Sequence, residues 1–360
     1  MITPLLIICV STYLIWKASS SFDVASSYLT RNLSEGIKGP TVNAIASSLP
    51  ELLISFFFLF YIGDLEGFSA GYATIIGSSI FNIAVIPTLS FLIIYYKKGI
   101  PLFPTDKKII EQDGFFLIAT ELALFVGLYF GGISIYLALI LILFYCLYIF
   151  LVFRKRNNNM TNDTAMYQEE GSEDVITDGT IFKKIITVNI AGLVLNKQRL
   201  NTSKASLILL VSLVIISIAC KELVTSSEHL SKQLNMNLFF ITFFVAAVAS
   251  SIPDTILSIK DAKNEKYKDA FSNAYGSNIF DICIGIGLPV LCYLWINDMD
   301  VISTVSSDNS NNIVLISSIL LIAFSIPITL IYWLKSVNLY RALFIIGLYL
   351  SFIGIVFYLS

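Results

Sequence analysis

Apolar runs of about 20 residues recur along the whole chain, and they limit its possible folds more than any other feature. Each run is long enough to cross the ~30 Å of hydrocarbon in a bilayer as a helix. Of the 360 residues, 56% are hydrophobic and only 13% are charged, about half the charged share of a typical soluble domain. The sequence therefore predicts an all-α polytopic membrane protein whose surroundings are a lipid bilayer, with no nucleic-acid partner.

The apolar runs predict ten transmembrane helices separated by one long linker. A charged, aromatic-poor stretch at 154–203 has the composition of a flexible linker. It divides the chain into a first half, 1–153, and a second half, 204–360, with five spans each. The ten predicted spans are roughly 3–31, 39–62, 68–96, 114–130, 132–153, 204–227, 236–259, 270–296, 312–334 and 338–359.

Lysine and arginine are concentrated in the loops on one side of the predicted membrane. They follow spans 3, 5, 7 and 9, whereas the loops after spans 2 and 8 are acidic. The positive-inside rule therefore predicts that the linker is cytoplasmic and that both termini are outside, in a protein of the cell membrane. Because each half has an odd number of spans, the second half is expected to enter the membrane in the opposite sense to the first.

Two sequence blocks occur once in each half. A-S-S-L-P-E-L-L-I-S at 46–55 matches A-S-S-I-P-D-T-I-L-S at 249–258. I-G-S-S-I-F-N-I at 76–83 matches Y-G-S-N-I-F-D-I at 275–282. The blocks lie on the second and third spans of each half. Related halves of opposite topology, each with an interrupted helix, are typical of inverted-repeat transporters.

Each first block places a carboxylate directly after a proline, inside a predicted span. Proline lacks an N–H and clashes with the carbonyl four residues earlier, so Pro50 should free the carbonyl of Ala46 and Pro253 that of Ala249. Freed carbonyls in lipid need partners, and a cation can be one. A carboxylate inside a membrane costs at least ~2.5–3.5 kcal/mol, which indicates a functional role.

The spacing of polar residues predicts how the ligands group. Ser47 and Ser48 precede Glu51 by four and three residues, so a helical path would put their hydroxyls near its carboxylate. Ser250 and Ser251 are related to Asp254 in the same way. Together the blocks supply carboxylates, hydroxyls, an amide and backbone carbonyls. This all-oxygen set favours hard cations such as Ca²⁺ and Na⁺.

The paired blocks, which extend over 43–90 and 245–290, resemble the two α-repeats of the Ca²⁺:cation antiporter superfamily, and within it the sodium/calcium exchangers. The family pattern is G-[ST]-S-x-P-[ED] on the second span of each half and G-S-N-x-F-[ND] on the third. The resemblance implies ten transmembrane helices arranged as two inverted five-helix repeats, with spans 1 and 6 as a sliding pair. It implies a secondary antiporter that exchanges Na⁺ for Ca²⁺, not an enzyme, and one without a cofactor.

The resemblance also implies the ion ligands, with Glu51 and Asp254 as the principal Ca²⁺ carboxylates. Alanine stands at 46 and 249, where the family usually has glycine, which bears on hinge flexibility more than on ion chemistry. The remaining implied ligands are the side chains of Ser47, Ser48, Ser78, Asn82, Ser250, Ser251, Ser277 and Asp281 and the backbone carbonyls of Ala44 and Ala247.

The sequence leaves the coupling ion open among Na⁺, K⁺ together with Na⁺, and H⁺. No histidine accompanies either block, which favours Na⁺ over H⁺. The stretches S-I-P-D-T and G-S-N-I-F-D look most like the K⁺-dependent branch, where the carboxylate at the position of Asp281 is tied to K⁺, although some K⁺-independent members carry it too. A cation channel and an intramembrane aspartyl protease are the alternatives from other classes. Duplicated internal ligands fit alternating access better than a pore, and the protease motif G-x-G-D is absent from the sequence.

Overall fold

The structure, a computed structural model, is almost entirely helical in the part of the chain that it describes. The described residues are 2–33, 37–103, 105–130, 132–157, 181–195, 198–303, 310–334 and 336–359. The helices are α1 (Ile2–Leu29), α2 (Ala44–Ser47), α3 (Leu49–Phe57), α4 (Asp64–Lys98), α5 (Lys107–Tyr129), α6 (Ile135–Asn157), α7 (Ile181–Ile186), α8 (Ile190–Leu195), α9 (Thr202–Leu234), α10 (Leu238–Ile241), α11 (Ala247–Ser250), α12 (Ile252–Lys263), α13 (Tyr267–Phe280), α14 (Gly287–Ile296), α15 (Ser310–Leu334) and α16 (Leu339–Tyr358). Short π-helical turns occupy Gly39–Asn43, Phe58–Ile62, Thr242–Ala246 and Asp281–Ile286, and two strands, β1 and β2, occupy Gly132–Ser134 and Val301–Ser303.

Six of the described helices (α1, α4, α6, α9, α15 and α16) are long and apolar enough to cross a membrane by themselves, and others join into longer spans. Within the described residues, eight helical spans meet that requirement, and the bent pair Gly39–Ser47 and Leu49–Ile62 brings the number to nine. α5, which contains the predicted fourth span, is not among the nine; it carries Asp113 and Glu121 in its interior. The all-α polytopic architecture is confirmed, whereas the count of ten spans stays a prediction.

The loops that were predicted to share one side of the membrane do lie together. Lys98, at the end of α4, donates to the carbonyl of Lys263 at the end of α12 (2.8 Å) and lies 3.1 Å from the carboxylate of Glu265. We call the side of the protein on which α4 and α12 end the basic side. At the other side, Tyr293 of α14 donates to the carboxylate of Asp64 at the start of α4 (3.1 Å). α3 and α12 therefore run in opposite directions, as expected for inverted blocks.

Short backbone pairings join loops of the two halves. β1 and β2 form an antiparallel pair in which Gly132 lies opposite Ser303. On the basic side, Phe103 and Val337 exchange backbone hydrogen bonds of 2.9 and 3.1 Å. In the spans predicted from the sequence, these segments fall in loops or at the ends of helices. The pairing gives their N–H and C=O groups partners, which buried or half-buried backbone requires.

The buried apolar side chains form two separate clusters. The larger, which we call the frame core, includes Ile80 of α4 and Phe271 of α13 and extends over α5, α6, α14, α15 and α16. The smaller, which we call the pair core, joins α1 to α9 through residues such as Ile15, Ala18 and Ile216, and it extends to the second span of each half, for example at Phe58 and Ala246. α1 and α9 have their most extensive packing with each other. They correspond to the predicted spans 1 and 6.

The predicted linker, 154–203, is described only in part. Residues 158–180 and 196–197 lie outside the described residues, and the remainder contains α7 and α8, where the composition predicted a loop. Ile190 and Leu195 of α8 are buried in the pair core. Lys184 of α7 donates to a carbonyl of α8 (3.0 Å). These apolar side chains leave water when α8 docks, and that burial stabilises a helix too short to stand alone.

Candidate ion-binding site

The second span of each half is interrupted immediately before its proline. The backbone departs from ideal helical geometry at Ser48 (φ −88°, ψ 3°) and at Ser251 (φ −78°, ψ −1°). α3 and α12 then begin with proline in the first turn, where the missing N–H removes no helical hydrogen bond. Glu51 and Asp254 follow in that same first turn. The positive end of each helix dipole therefore favours the negative charge placed there.

Asp254 accepts hydrogen bonds from both halves of the chain. Ser47 Oγ donates to Asp254 Oδ1 (2.5 Å), and Ser277 Oγ donates to the same oxygen (2.6 Å). Asn273 Nδ2 is 3.4 Å from it. The carboxylate is fully buried, and its Oδ2 has no hydrogen-bond partner among the described residues. Hydroxyls thus orient one oxygen and leave the other to interact with a cation.

Glu51 has a corresponding environment in the first half. Ser78 Oγ donates to Glu51 Oε1 (3.4 Å), accepts from Asn82 Nδ2 (3.4 Å) and lies 2.9 Å from Ser251 Oγ. Ser250 lies beside the same carboxylate. Glu51 is fully buried, and its Oε2 is without a hydrogen-bond partner in the described part of the chain. In both carboxylates, therefore, serine hydroxyls orient one oxygen, and the other oxygen has no hydrogen-bond partner among the described residues.

Asp281 is the third buried carboxylate near the two breaks. It begins the π-helical turn Asp281–Ile286, and neither of its oxygens has a hydrogen-bond partner among the residues described. Ser48 lies beside it, and the charges of Glu51 and Asp254 act on it. Burying several interacting carboxylates away from water is costly unless cations balance their charge.

The pairing of serines with carboxylates differs from the one predicted by helical spacing. Ser47 donates to Asp254, not to Glu51, and Ser250 lies beside Glu51 instead of Asp254. The prediction assumed an unbroken helical path between serine and carboxylate. The breaks at Ser48 and Ser251 end that path, so the serines turn toward the other half of the chain and tie the halves together.

The two alanine carbonyls implied as ligands lie one turn before the breaks. The Ala44 carbonyl accepts from the Ser48 N–H (2.9 Å), and the Ala247 carbonyl accepts from the Ser251 N–H (3.1 Å). The Ala247 carbonyl also accepts from Ser250 Oγ (3.1 Å), and the Ala44 carbonyl lies 3.4 Å from Ser47 Oγ, so an ion bound at either carbonyl would take the place of a serine hydroxyl. The Asn82 Oδ1 atom, in contrast, is buried with no partner among the described residues.

The donor set suits a hard cation that takes many oxygen ligands. Carboxylate, hydroxyl, amide and carbonyl oxygens are the donors that Ca²⁺ and Na⁺ prefer. Within the described residues, no three Asp, Glu, His or Cys side chains converge closely enough to hold a metal ion by themselves. Coordination here would therefore depend on the serine hydroxyls and on the amide and carbonyl oxygens as well as on the carboxylates.

Two glycines let the third span of each half meet the second span of the other. A Cβ on Gly77 would lie 2.5 Å from the carbonyl oxygen of Phe243, and one on Gly276 would lie 2.6 Å from the Cα of Pro40. No side chain fits in that space. The serine that follows each glycine thereby reaches the breaks: Ser78 lies 2.9 Å from Ser251 Oγ of the opposite half, and Ser277 donates to Asp254. The G-S pairs of the matched blocks thus have a packing reason as well as a chemical one.

Two buried polar residues, one beside the site and one elsewhere in the membrane-spanning part, were not predicted from the sequence. Asn273 Nδ2 lies 3.4 Å from Asp254 Oδ1 and 3.1 Å from Ser258 Oγ. It precedes Ser277 of G-S-N-I-F-D by four residues, and this helical spacing could have indicated a place beside the site. Glu121 is a buried carboxylate of α5 that accepts from Ser325 of α15 (2.8 Å). Its position inside a predicted span was a signal too, but it lies outside the duplicated blocks.

Solved structures of cation exchangers share the fold. The H⁺/Ca²⁺ exchanger CAX superposes with a TM-score of 0.68 over 97% of this chain and 78% of its own, at 18% sequence identity. The sodium-calcium exchanger NCX_Mj superposes with a TM-score of 0.56 over 98% of both chains, at 20% identity. At such identities the likeness shows a common fold and nothing finer.

Curated relatives and the family model extend the match to the sequence. A stretch of 109 residues is 34% identical to sodium/potassium/calcium exchanger 2 of Gallus gallus; it covers 30% of this chain and only 16% of that relative. An uncharacterised membrane protein of Methanocaldococcus jannaschii is 24% identical over 271 residues, 75% of each chain. The model of the sodium/calcium exchanger protein family matches residues 3–154 and 204–358. The chain therefore belongs to the sodium/calcium exchanger family of the Ca²⁺:cation antiporter superfamily.

Proposed function

We propose that this protein is a secondary active antiporter that exchanges Na⁺ for Ca²⁺ across a membrane by alternating access. One observation carries the proposal: Glu51 and Asp254 are fully buried, each with one oxygen held by hydroxyls and the other without a partner among the described residues. Two carboxylates match the charge of one Ca²⁺. Na⁺ competes for the same oxygen ligands, as antiport requires.

Charge balance explains why the ions would be exchanged and not simply conducted. An empty site would hold carboxylates in a low-dielectric interior without counter-ions, and that state is costly to carry across the membrane. A site loaded with Ca²⁺, or with Na⁺ instead, is close to neutral and can change its exposure from one side to the other. After the site releases one ion, it therefore changes its exposure back to the first side only when the other ion has bound. This requirement couples the flow of Ca²⁺ to the flow of Na⁺.

Uptake of ⁴⁵Ca²⁺ into proteoliposomes tests this function directly. Gradients of Na⁺, K⁺ and H⁺ are imposed in turn on vesicles that contain the full-length protein. We expect an outward Na⁺ gradient to drive Ca²⁺ in and a reversed gradient to drive it out. Uptake that follows only a proton gradient would establish H⁺/Ca²⁺ antiport, and Ca²⁺ flux without any counter-gradient would indicate a channel.

K⁺ dependence is the second candidate, and the position of Asp281 favours it. Its carboxyl adds a third acid to the site, whereas its repeat partner is the neutral Asn82. Three negative charges suit Ca²⁺ together with K⁺, or three Na⁺, whereas two suit Ca²⁺ alone. The 109-residue match to sodium/potassium/calcium exchanger 2 also favours K⁺ dependence.

Replacing Asp281 by asparagine is expected to remove any K⁺ requirement. The variant loses the charge that would hold K⁺ but keeps the two carboxylates for Ca²⁺, so Ca²⁺ binding should fall less than in Asp254→Asn. We expect omission of K⁺ to slow Na⁺-driven Ca²⁺ flux about tenfold in the wild type and less than about twofold in Asp281→Asn. Glu121→Gln, which changes a buried carboxylate bonded to α15, is the matched control and should respond to K⁺ like the wild type. Identical K⁺ responses of the wild type and Asp281→Asn would rule out this role.

The basic side is proposed to face the cytoplasm, with both termini outside. Asn162 in N-D-T, which lies outside the described residues, reports the orientation because it would accept a glycan only on the lumenal side of the membrane. After eukaryotic expression we expect no shift in gel mobility upon glycosidase treatment. Asn311→Thr, which creates N-S-T at 309–311 in a loop predicted to be outside, should instead become glycosylated. A glycan on Asn162 would show the reverse orientation.

A further inference from the structure

A column of polar side chains leads from Asp254 toward the basic side. On α12, Ser258 and Asp261 follow Asp254 by four and seven residues, so the three share one face of the helix. Asn273 of α13 joins the first two, with its Nδ2 3.4 Å from Asp254 Oδ1 and 3.1 Å from Ser258 Oγ. The first three residues of the column are fully buried, and Asp261 is 8% exposed. The column thus connects the candidate ion site with the edge of solvent.

The π-helical turn before α2 forms a third wall at the outer end of the column. Asn43 Nδ2 donates to Asp261 Oδ2 (3.3 Å). One turn earlier, the Gly39 N–H donates to Asp269 Oδ1 (3.1 Å). Two carboxylates, one from α12 and one from α13, therefore approach the same backbone turn. Ser47 Oγ lies 2.7 Å from the Asn43 carbonyl oxygen and 2.5 Å from Asp254 Oδ1, so its one hydroxyl hydrogen is shared between this turn and the candidate ion site.

Two amide oxygens in the column lack a hydrogen-bond partner among the described residues. They are Asn43 Oδ1 and Asn273 Oδ1, on side chains that are 3% and 0% exposed. A buried acceptor without a partner costs ~1–3 kcal/mol. Each belongs to an amide whose nitrogen is within 3.5 Å of a carboxylate, so each oxygen lies beside negative charge. A cation would supply the missing partner, since amide and carboxylate oxygens together are Ca²⁺ ligands.

At the outer end of the column, the corresponding positions of the other repeat are apolar, although Ser55 and Thr74 stand where the column has Ser258 and Asn273. When the matched blocks are aligned, Asp261 corresponds to Phe58, Asp269 to Ala70 and Asn43 to Ala246. These three apolar residues are all buried. All three belong to the pair core. The fold therefore packs these positions with apolar side chains in one half. Because nothing in the architecture demands acids there, the acids on the basic side require another explanation.

We propose that Asp261, Asp269 and Asn43 form a second cation site, which takes Ca²⁺ on the basic side and passes it along the column to Asp254. Two carboxylates balance one Ca²⁺, and the amide oxygen adds a neutral ligand. The slight exposure of Asp261 gives the ion access from water. The inference rests on the proposed function, because it assigns the route by which the transported ion reaches the exchange site.

The charges around Asp261 are compatible with a cation site. The charged side chains that act on it are Asp269, Asp23, Lys260 and Lys266. Lys260 Nζ lies 3.5 Å from Asp23 Oδ2, so its charge is engaged with α1. Of the other charged neighbours, Asp269 would attract a cation to this position and Lys266 would oppose it, and a bound cation would balance the buried carboxylate of Asp261.

Ca²⁺ binding to the purified full-length chain separates the two sites without requiring transport. Equilibrium dialysis with ⁴⁵Ca²⁺ in Na⁺-free detergent should show two Ca²⁺ per wild-type chain and one in either Asp254→Asn or Asp261→Asn. The double variant should bind none, and Asp261→Glu, which keeps the charge, should bind two. Wild-type stoichiometry and affinity in Asp261→Asn would overturn the proposal, and so would complete loss of binding in Asp254→Asn.

Transport measured from each side gives a second, independent readout. In proteoliposomes, Asp261→Asn should raise the Ca²⁺ concentration for half-maximal flux about three- to tenfold on the basic side only. Asp106→Asn is the matched control: it removes a carboxylate 3.9 Å from Lys268 on the same side but keeps an oxygen to cap α5. It should behave like the wild type. An equal effect of Asp261→Asn from both sides would contradict the second site. Absence of exchange by the wild type would contradict the proposed function, while the dialysis still decides the second site.

Discussion

Removing the charge of Glu51 or Asp254 is expected to abolish Na⁺-driven Ca²⁺ exchange, with a loss of at least about 100-fold. Glu51→Gln and Asp254→Asn keep the shape of the side chain but replace a carboxylate oxygen by an NH₂ group. That group cannot coordinate a cation, and its hydrogens repel one. The hydroxyls that orient each carboxylate remain, so the fold should be retained.

The measurement is ⁴⁵Ca²⁺ uptake under an Na⁺ gradient, with gel filtration and thermal unfolding in detergent as tests of the fold. Glu121→Gln is the matched control, because Glu121 is also a buried carboxylate but is held by Ser325 at a distance from the two breaks. It should exchange Ca²⁺ at a rate near that of the wild type. Normal transport by either Glu51→Gln or Asp254→Asn would disprove the assignment of the ion ligands.

A methyl group at Gly276 is expected to impair both folding and exchange. The added Cβ would lie 2.6 Å from the Cα and 2.8 Å from the carbonyl oxygen of Pro40. Because both are backbone atoms, α13 must move away from the turn before α2. We expect a destabilisation of ~1–3 kcal/mol. We also expect weaker Ca²⁺ binding, because Ser277 would be drawn away from Asp254.

Thermal unfolding and Ca²⁺ uptake of Gly276→Ala give the two readouts. Gly347→Ala is the control, since a Cβ at Gly347 in α16 would meet nothing within 4 Å. That control should be at least as stable as the wild type, because alanine favours a helix over glycine by about 1 kcal/mol. Wild-type stability and flux in Gly276→Ala would show that the close approach of α13 to Pro40 is not required.

The transmembrane helices were largely predictable because a chain in lipid must satisfy its backbone hydrogen bonds internally. The predicted span 39–62 coincides with Gly39–Ile62, and 68–96 lies within α4. Hydropathy reports contact with lipid, however, and not the full length of a helix. The charged stretch 260–269 reads as a loop, yet α12 continues to Lys263 and α13 begins at Tyr267. Its two buried aspartates were therefore missed.

The residues of the candidate site were predictable, but their partners were not. Duplication and the cost of a buried acid single out Glu51 and Asp254 without any structure. Which serine serves which acid depends on the chain path after each break, and local spacing carries no information about it. Ser47 therefore donates to an acid 207 residues away. Contacts between halves of this kind arise only in the folded protein.

The separation of the pair core from the frame core has a consequence for how ions could move the protein. When one apolar surface shears along another, the buried area stays nearly constant, so the free energy changes little along the path. α1 and α9 meet the broken span of the first half at contacts such as Cys220 Sγ to the Pro50 carbonyl, 3.8 Å, which is a weak interaction. A difference of a few kcal/mol in ion affinity between two registers of such an interface is enough to shift its population almost completely. If α1 and α9 slide in this way, the pair core, which also contains Ile54 and Ala249 of the broken spans, would shear without opening, and the bound ion would need only to favour one register.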